Sequence, residues 1–204
     1  VARVRDSLQA VAQRFALVRA QAAETSPDTA WRDWYGFLPW EDWRKARPAA
    51  IDTAIRPRLK LWADAADNER RSERIRLCFG FDGLAWDEEK VLERYELLYE
   101  AGLIEEARRD GRDILPAIRK LPADLGQPMM FDHRRILATA MGRLRGKMKY
   151  RPVIFELMPA EFTLLELQRT VEAISGTRLH KQNFRRLVEK GGLVERTGKI
   201  STAT

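Results

Sequence analysis

Between Lys181 and Lys190 the chain reads KQNFRRLVEK, a stretch rich in side chains that can read nucleobases. Arg and Lys suit the O6 and N7 of guanine, and Asn and Gln suit the N6 and N7 of adenine. Wound as a helix, Phe184, Leu187 and Val188 share one face and must pack inward. Gln182, Arg186 and Glu189 point the opposite way, with Asn183 and Arg185 on the flanks and Lys181 and Lys190 at the ends. Arg178 just before this stretch, and Arg196 and Lys199 just after it, add cations that suit phosphate or the minor groove. The candidate DNA-binding set is therefore Arg178, Lys181, Gln182, Asn183, Arg185, Arg186, Lys190, Arg196 and Lys199.

Other residues that could do chemistry read as structural. Cys78 ends an apolar run (Ile75, Leu77, Cys78, Phe79) and reads as inert core rather than a nucleophile. One cysteine and two histidines, His133 and His180, are too few soft ligands for a zinc site. The acidic triplet Asp87-Glu88-Glu89 suits the positive end of a helix dipole and needs no metal to explain it. No catalytic residue, resident cofactor or metal ligand is expected. Four tryptophans fall at 31, 34, 40 and 43 in WRDWYGFLPWEDW. They could stack a nucleobase, but a knot of core and boundary packing, with indole N–H groups finding local acceptors, is the favoured reading.

The elements around the reader stretch have clear local signals. Thr163 and Glu166 form a capping box that starts a helix. Leu164, Leu167, Val171 and Ile174 make its inner stripe, Glu166, Gln168, Arg169 and Glu172 its outer face, and Gly176 stops it. A turn (Thr177, Arg178, Leu179, His180) leads to the reader helix, which Gly191-Gly192 ends. LVERTGKIST then reads as a β-hairpin, completing the winged-helix order.

Upstream, helical spacing covers 4–19, a loop 21–30, and a helix 49–66 with Ile51, Ile55, Leu59 and Trp62 on one stripe and Pro57 expected to kink or split it. A short basic helix follows at 69–79. The helix 88–101 is expected to start on Asp87 as N-cap and to bury Val91, Leu92, Tyr95, Leu98 and Tyr99. One or two short helices fit 103–121, and PADLGQPMMF is a connection. Asp132 should cap a helix over 133–148 with Ile136, Leu137, Ala140, Met141 and Leu144 inward. Its far end (Arg143, Arg145, Lys147, Lys149, Arg151) suits the negative end of the dipole.

The 204 residues carry a net charge of +7, unevenly placed. Residues 133–204 hold fifteen Lys and Arg against six Asp and Glu, whereas residues 1–132 balance at −2. A basic segment on a near-neutral one points to a polyanion partner for that segment. No apolar run approaches the roughly 20 residues of a membrane-spanning helix, no export signal is present, and a lone cysteine agrees with a reducing cytosol. A cytoplasmic location with no membrane partner is expected. Because the sequence starts at Val1 and stops within strand-like residues, it reads as a fragment.

The stretch FDHRRILATAMGRLRGKMKYRP…FELMPAEFTLLELQRTVEAISGTRLHKQNFRRLVEKGGLVERTGK resembles the C-terminal part of the Nudix-related transcriptional regulators of NAD metabolism. Residues 131–199 carry the likeness, with the FDH…IL start, RLRGK…Y, the FTL-ELQ helix and the NFRR reader as its motifs. WYGFLPWEDW and LERYELLYEAGLIEEA resemble a branch with a divergent Nudix part and an added helical region. The resemblance implies a dimer on palindromic operators, modulated by ADP-ribose or a related nucleotide. It also sets Asn183, Phe184, Arg185 and Arg186 on the recognition helix's NFRR. The Nudix box with its REx(x)EE carboxylates has no match in residues 1–204, and the family's longer wing does not continue past Thr204.

The expected fold is mainly α: a helical region over 1–150, a remnant of a divergent α/β Nudix-type domain, then a winged helix-turn-helix with a truncated wing over 151–204. The expected function is a double-stranded-DNA-binding transcription regulator of NAD genes, a homodimer rather than an enzyme. A Nudix-type pyrophosphohydrolase and a protein adaptor using the tryptophan-rich half are the alternatives.

Overall fold

The computed structural model describes residues 32–66, 69–120, 122, 124–150, 153–192, 194, 195 and 197. Among them the fold is helical, and the nearest approach to a sheet is one isolated parallel bridge between Trp43 and Thr177. The helix expected over 4–19, the loop over 21–30, Trp31, Arg151 and most of the hairpin, including Arg196 and Lys199, lie outside the described residues. No described helix is long and apolar enough to cross a membrane.

Helices α1 (Arg56–Asp64), α2 (Glu69–Phe79), α3 (Val91–Glu100), α4 (Glu105–Arg109) and the first part of α5 (His133–Tyr150) close around one large core. Pro57 sits in the first turn of α1, where the helical run over 49–66 divides into two elements. A π-helical stretch, Ile51–Ile55, precedes it, and the wider register absorbs the residue that cannot donate. Ile51, Ile55, Leu59 and Trp62 are all buried, as their spacing requires. Cys78 and Phe79 are in the core, but Leu77 faces out.

Trp40 is fully buried, and Trp43 packs on Trp86 with ring centroids 4.5 Å apart. Trp40 is part of the core, and Trp34 and Trp43 pack against it half-buried. Their indoles are not all satisfied: Trp43 Nε1 donates to Trp40 O at 3.2 Å, whereas Trp40 Nε1 is buried with no acceptor.

Two expectations for this region fail for tertiary reasons. Helix α3 begins at Val91, not Glu88, and Lys90 occupies its N-cap position. Asp87 instead closes the preceding turn, its side chain accepting from Glu89 N at 3.0 Å. The carbonyls of Asp87 and Glu88 are drawn into bonds with Arg94 and Arg145, which holds this segment as a turn. On α5 the fully buried positions are Arg134, Ala138, Met141 and Arg145, a stripe at helical spacing with a cation at each end. Ile136, Leu137, Ala140 and Leu144 are only half-buried. The Asp132 side chain binds Arg135 at 2.5 Å.

Each buried cation has a carboxylate. Arg134 Nη1 reaches Glu106 Oε2 at 3.2 Å, and Arg134 also donates to the carbonyls of Phe37 and Leu125. Burial holds the Arg134 pKa below its usual value, and Glu106 opposes that shift. Glu41 takes both Arg94 (2.6 and 2.9 Å) and Arg145 (2.7 Å). The excess positive charge meets carbonyls of Cys78, Asp87, Glu88 and Ile174, and the face of Trp86 3.7 Å from Arg94. Buried ions persist only with this degree of satisfaction.

Candidate nucleic-acid interface

Helices α6 (Leu164–Ser175) and α7 (Lys181–Lys190) fold around a second, smaller cluster: Met158, Leu167 and Phe184, flanked by Ile154, Phe155, Phe162, Val171, Leu179 and Val188. The short 3-10 stretch Val153–Leu157, which the sequence pattern did not reveal, contributes Ile154 and Phe155 to it.

The capping box forms as read. Thr163 accepts from Glu166 N at 3.1 Å, and Glu166 Oε2 accepts from Thr163 N at 2.6 Å. These bonds hold the exposed Glu166 carboxyl below the usual glutamate range, the Thr163 backbone N–H being the main cause. At the other end Gly176 takes the left-handed φ of +75° that only glycine adopts without strain.

The turn between the helices is held from inside. Gln168, expected on the outer face, is buried, and its Nε2 donates to Leu179 O at 3.0 Å and to Glu172 Oε1 at 2.9 Å. Glu172 Oε1 in turn accepts from Leu179 N at 2.8 Å. Gln168 and Glu172 therefore fix the chain where it enters α7. Nothing at helical spacing distinguishes them from solvated residues, because the partner backbone lies beyond the helix end.

Phe184 alone anchors α7 firmly, being 9% exposed. Val188 is half-buried against the cluster, but Leu187 is 67% exposed, so it does not join the packing face. Lys181, Gln182, Asn183, Arg185, Arg186 and Lys190 are all exposed on this helix, and Arg178 is exposed in the turn. Seven of the nine candidate residues thus stand together on one short helix and its entry. None of these seven side chains is tied to another described residue by an ion pair, which leaves the cations open to phosphate or base edges.

The helix-turn-helix is joined to the large core at the last turn of α6. Tyr35 Oη donates to Ala173 O at 2.9 Å, Arg145 Nε to Ile174 O at 3.0 Å, and Trp43 N to Gly176 O at 2.6 Å. These are carbonyls a helix C-terminus leaves without in-helix partners, and the guanidinium suits its negative dipole end. Burial raises the Tyr35 hydroxyl above its ordinary pKa, against the lowering effect of Arg145. In sequence Arg145 suits the negative dipole end of its own helix. It belongs to this junction instead.

Among the described residues, no group of three His, Cys, Asp or Glu could hold a metal ion. Residues 154–204 match the family described as the NrtR DNA-binding winged helix domain. Over 75 residues the chain is also 41% identical to a protein of Acinetobacter baylyi (strain ATCC 33305 / BD413 / ADP1) named "ADPR responsive transcriptional repressor NtrR". That alignment spans 37% of this chain and 30% of the relative, so the chain covers less than a third of the relative's length. The basic C-terminal helices therefore belong to a DNA-binding winged helix domain, similar to that of the NrtR family, which follows a helical region.

Proposed function

We propose that the chain is a transcription regulator that reads duplex DNA with α7. The carrying observation is a two-layered helix: Phe184 is buried beneath it, and Gln182, Asn183, Arg185 and Arg186 stand exposed above. The same residues fall within the matched DNA-binding domain. A helix backed by one aromatic and a clamped turn can enter the major groove without disturbing its support. Arg186 and Gln182 supply bidentate base contacts there, Asn183 and Arg185 read the flanks, and Arg178, Lys181 and Lys190 meet phosphate. Arg196 and Lys199, further along the sequence, add phosphate contacts in this reading.

In this reading residues 1–150 are a sensor region and residues 151–204 the DNA-binding domain. One short reader helix makes few base contacts, so the active form is a homodimer on a two-fold operator. The relative's printed name, ADPR responsive repressor, supports ADP-ribose or a related nucleotide as the effector, genes of NAD metabolism as the targets, and a cytoplasmic site of action without catalysis. Selection of the chain against a random duplex pool tests this. Enrichment of a two-fold symmetric sequence whose binding changes with added ADP-ribose supports the reading. Enrichment of no sequence overturns the base-reading role of α7.

A further inference from the structure

The last turn of α6 is one residue from the turn that feeds α7, and side chains of the large core hold it. Arg145, fully buried, is the hub. It donates to Glu41 Oε2 (2.7 Å), Glu41 O (3.3 Å), Glu88 O (3.0 Å) and Ile174 O (3.0 Å), and it reaches Tyr35 Oη at 3.4 Å. Three segments distant in the chain meet on this one planar fork: the Tyr35–Glu41 region, the turn before α3, and the end of α6. Next to it the Trp43 amide bonds Gly176 O, and Trp43 pairs with Thr177 as a single parallel bridge. Gly176 leaves no room to spare. A Cβ there would lie 2.4 Å from Glu41 O, 2.7 Å from Arg145 Nη2 and 2.9 Å from Tyr35 Oη.

We propose that Arg145 is a positioning residue that locks the helix-turn-helix in one orientation on the helical body, so that the body dictates where α7 points. From Gly176 only the four residues Thr177–His180 lead to Lys181. That turn is pinned on one side by Trp43 and on the other by Gln168 and Glu172. No slack remains between the Glu41–Arg145 pair and the start of the reader. A buried ion pair adds little net stability over an apolar pair, but the contacts of Arg145 are satisfied together only when the three segments hold this arrangement, which is what fixing a direction requires. The functional consequence rests on the DNA-reading role of α7. Two rigidly held readers in a dimer accept half-sites in only one helical phase, and loosening the lock relaxes that demand.

The test has a part without DNA. Nitroxides are placed on the full chain at Leu61→Cys in α1 and Leu187→Cys in α7, both exposed, while Cys78 is buried. Pulsed electron resonance, with labelled chains diluted in an excess of unlabelled ones, then gives their separation within one chain. One narrow distance is expected, and it broadens or moves in Arg145→Gln and in Gly176→Ala. The glycine variant acts through sterics and strained φ, so it decides the matter if the arginine variant does not fold. On DNA, inserting about five base pairs, half a helical turn, between half-sites should weaken the unmodified chain at least about tenfold. Arg145→Gln should shrink that ratio to within about twofold while leaving single half-site binding unchanged, because each released reader can then rotate to follow the groove. Variants that keep the narrow distance and the full phase ratio overturn the proposal. A chain that binds no duplex at all overturns the reading of α7 instead, and the distance measurement still decides the lock.

Discussion

Replacing Glu41 with glutamine should be among the most damaging conservative changes in this protein. The carboxylate is fully buried and accepts three hydrogen bonds from two arginines, themselves buried, at 2.6, 2.7 and 2.9 Å. Removing one partner of a buried ion pair costs about 3–5 kcal/mol, because the other charge is left uncompensated. Here two guanidiniums are stranded together, and the new amide N–H groups face donors, so the loss should reach the upper end, about 5 kcal/mol. Domains are stable by only about 5–15 kcal/mol, so a large share of the margin would go. At about 2–4 °C per kcal/mol for a chain of this size, the melting midpoint should fall by about 10–20 °C. Calorimetry beside Asp64→Asn supplies the contrast. Asp64 pairs with Lys60 at the same close range, 2.8 Å, but both are exposed, and its loss should cost under about 0.5 kcal/mol. A Glu41→Gln midpoint within the error of Asp64→Asn would refute the burial and pairing assigned to this carboxylate.

Thr163→Ala should destabilise α6 by about 1 kcal/mol through the lost cap, read from amide exchange of its first turn. The folded-state pKa of Glu166 is depressed, so its share of the cap is present above the ordinary glutamate value near ~4.3 and lost as pH falls below it. A first turn equally protected at neutral pH and pH 3 would contradict that. Cys78 is buried and its thiol pKa is raised by burial, so a thiol reagent should label it only after denaturant is added, and rapid native labelling would contradict its core placement. Arg186→Ala should lose about 1–3 kcal/mol of preference for the selected site over scrambled duplex, whereas Lys190→Ala should weaken both alike. Equal weakening of both duplexes by Arg186→Ala would remove it from the base-reading face. Incubation with ADP-ribose and Mg2+ should release no AMP above a blank, and turnover that survives repurification would argue for hydrolysis.

The parts of this fold legible in sequence are those decided within about one helical turn. The Thr163–Glu166 box, the left-handed Gly176 and the exposed polar face of α7 depend on neighbours a few residues away, and each is as the local pattern implies. What stayed hidden depends on partners far along the chain. Arg145 meets Glu41 across 104 residues and Ile174 across 29, and Arg94 meets Glu41 across 53. A charged residue in a helix pattern reads as solvated unless its counter-ion is known, so the two arginines and Glu41 gave no signal. Gln168 was misplaced for the same reason, since the carbonyl it binds belongs to the following turn. Leu187 erred in the opposite sense: periodicity put it inward, but Phe184 and Val188 already cover the small cluster beneath α7.

The most direct test of the central claim is a salt titration of duplex binding by fluorescence anisotropy. The unmodified chain is compared with a variant carrying Arg178→Ala, Lys181→Ala and Lys190→Ala, all exposed on α7 and its entry. Phosphate-contacting cations release condensed counterions, so the logarithm of affinity should fall linearly with that of salt, with slope about −0.9 per contact. The variant should bind far more weakly, with a slope shallower by up to about three contacts. Duplex affinity that ignores salt, or is the same with and without these three side chains, would contradict α7 as the DNA reader.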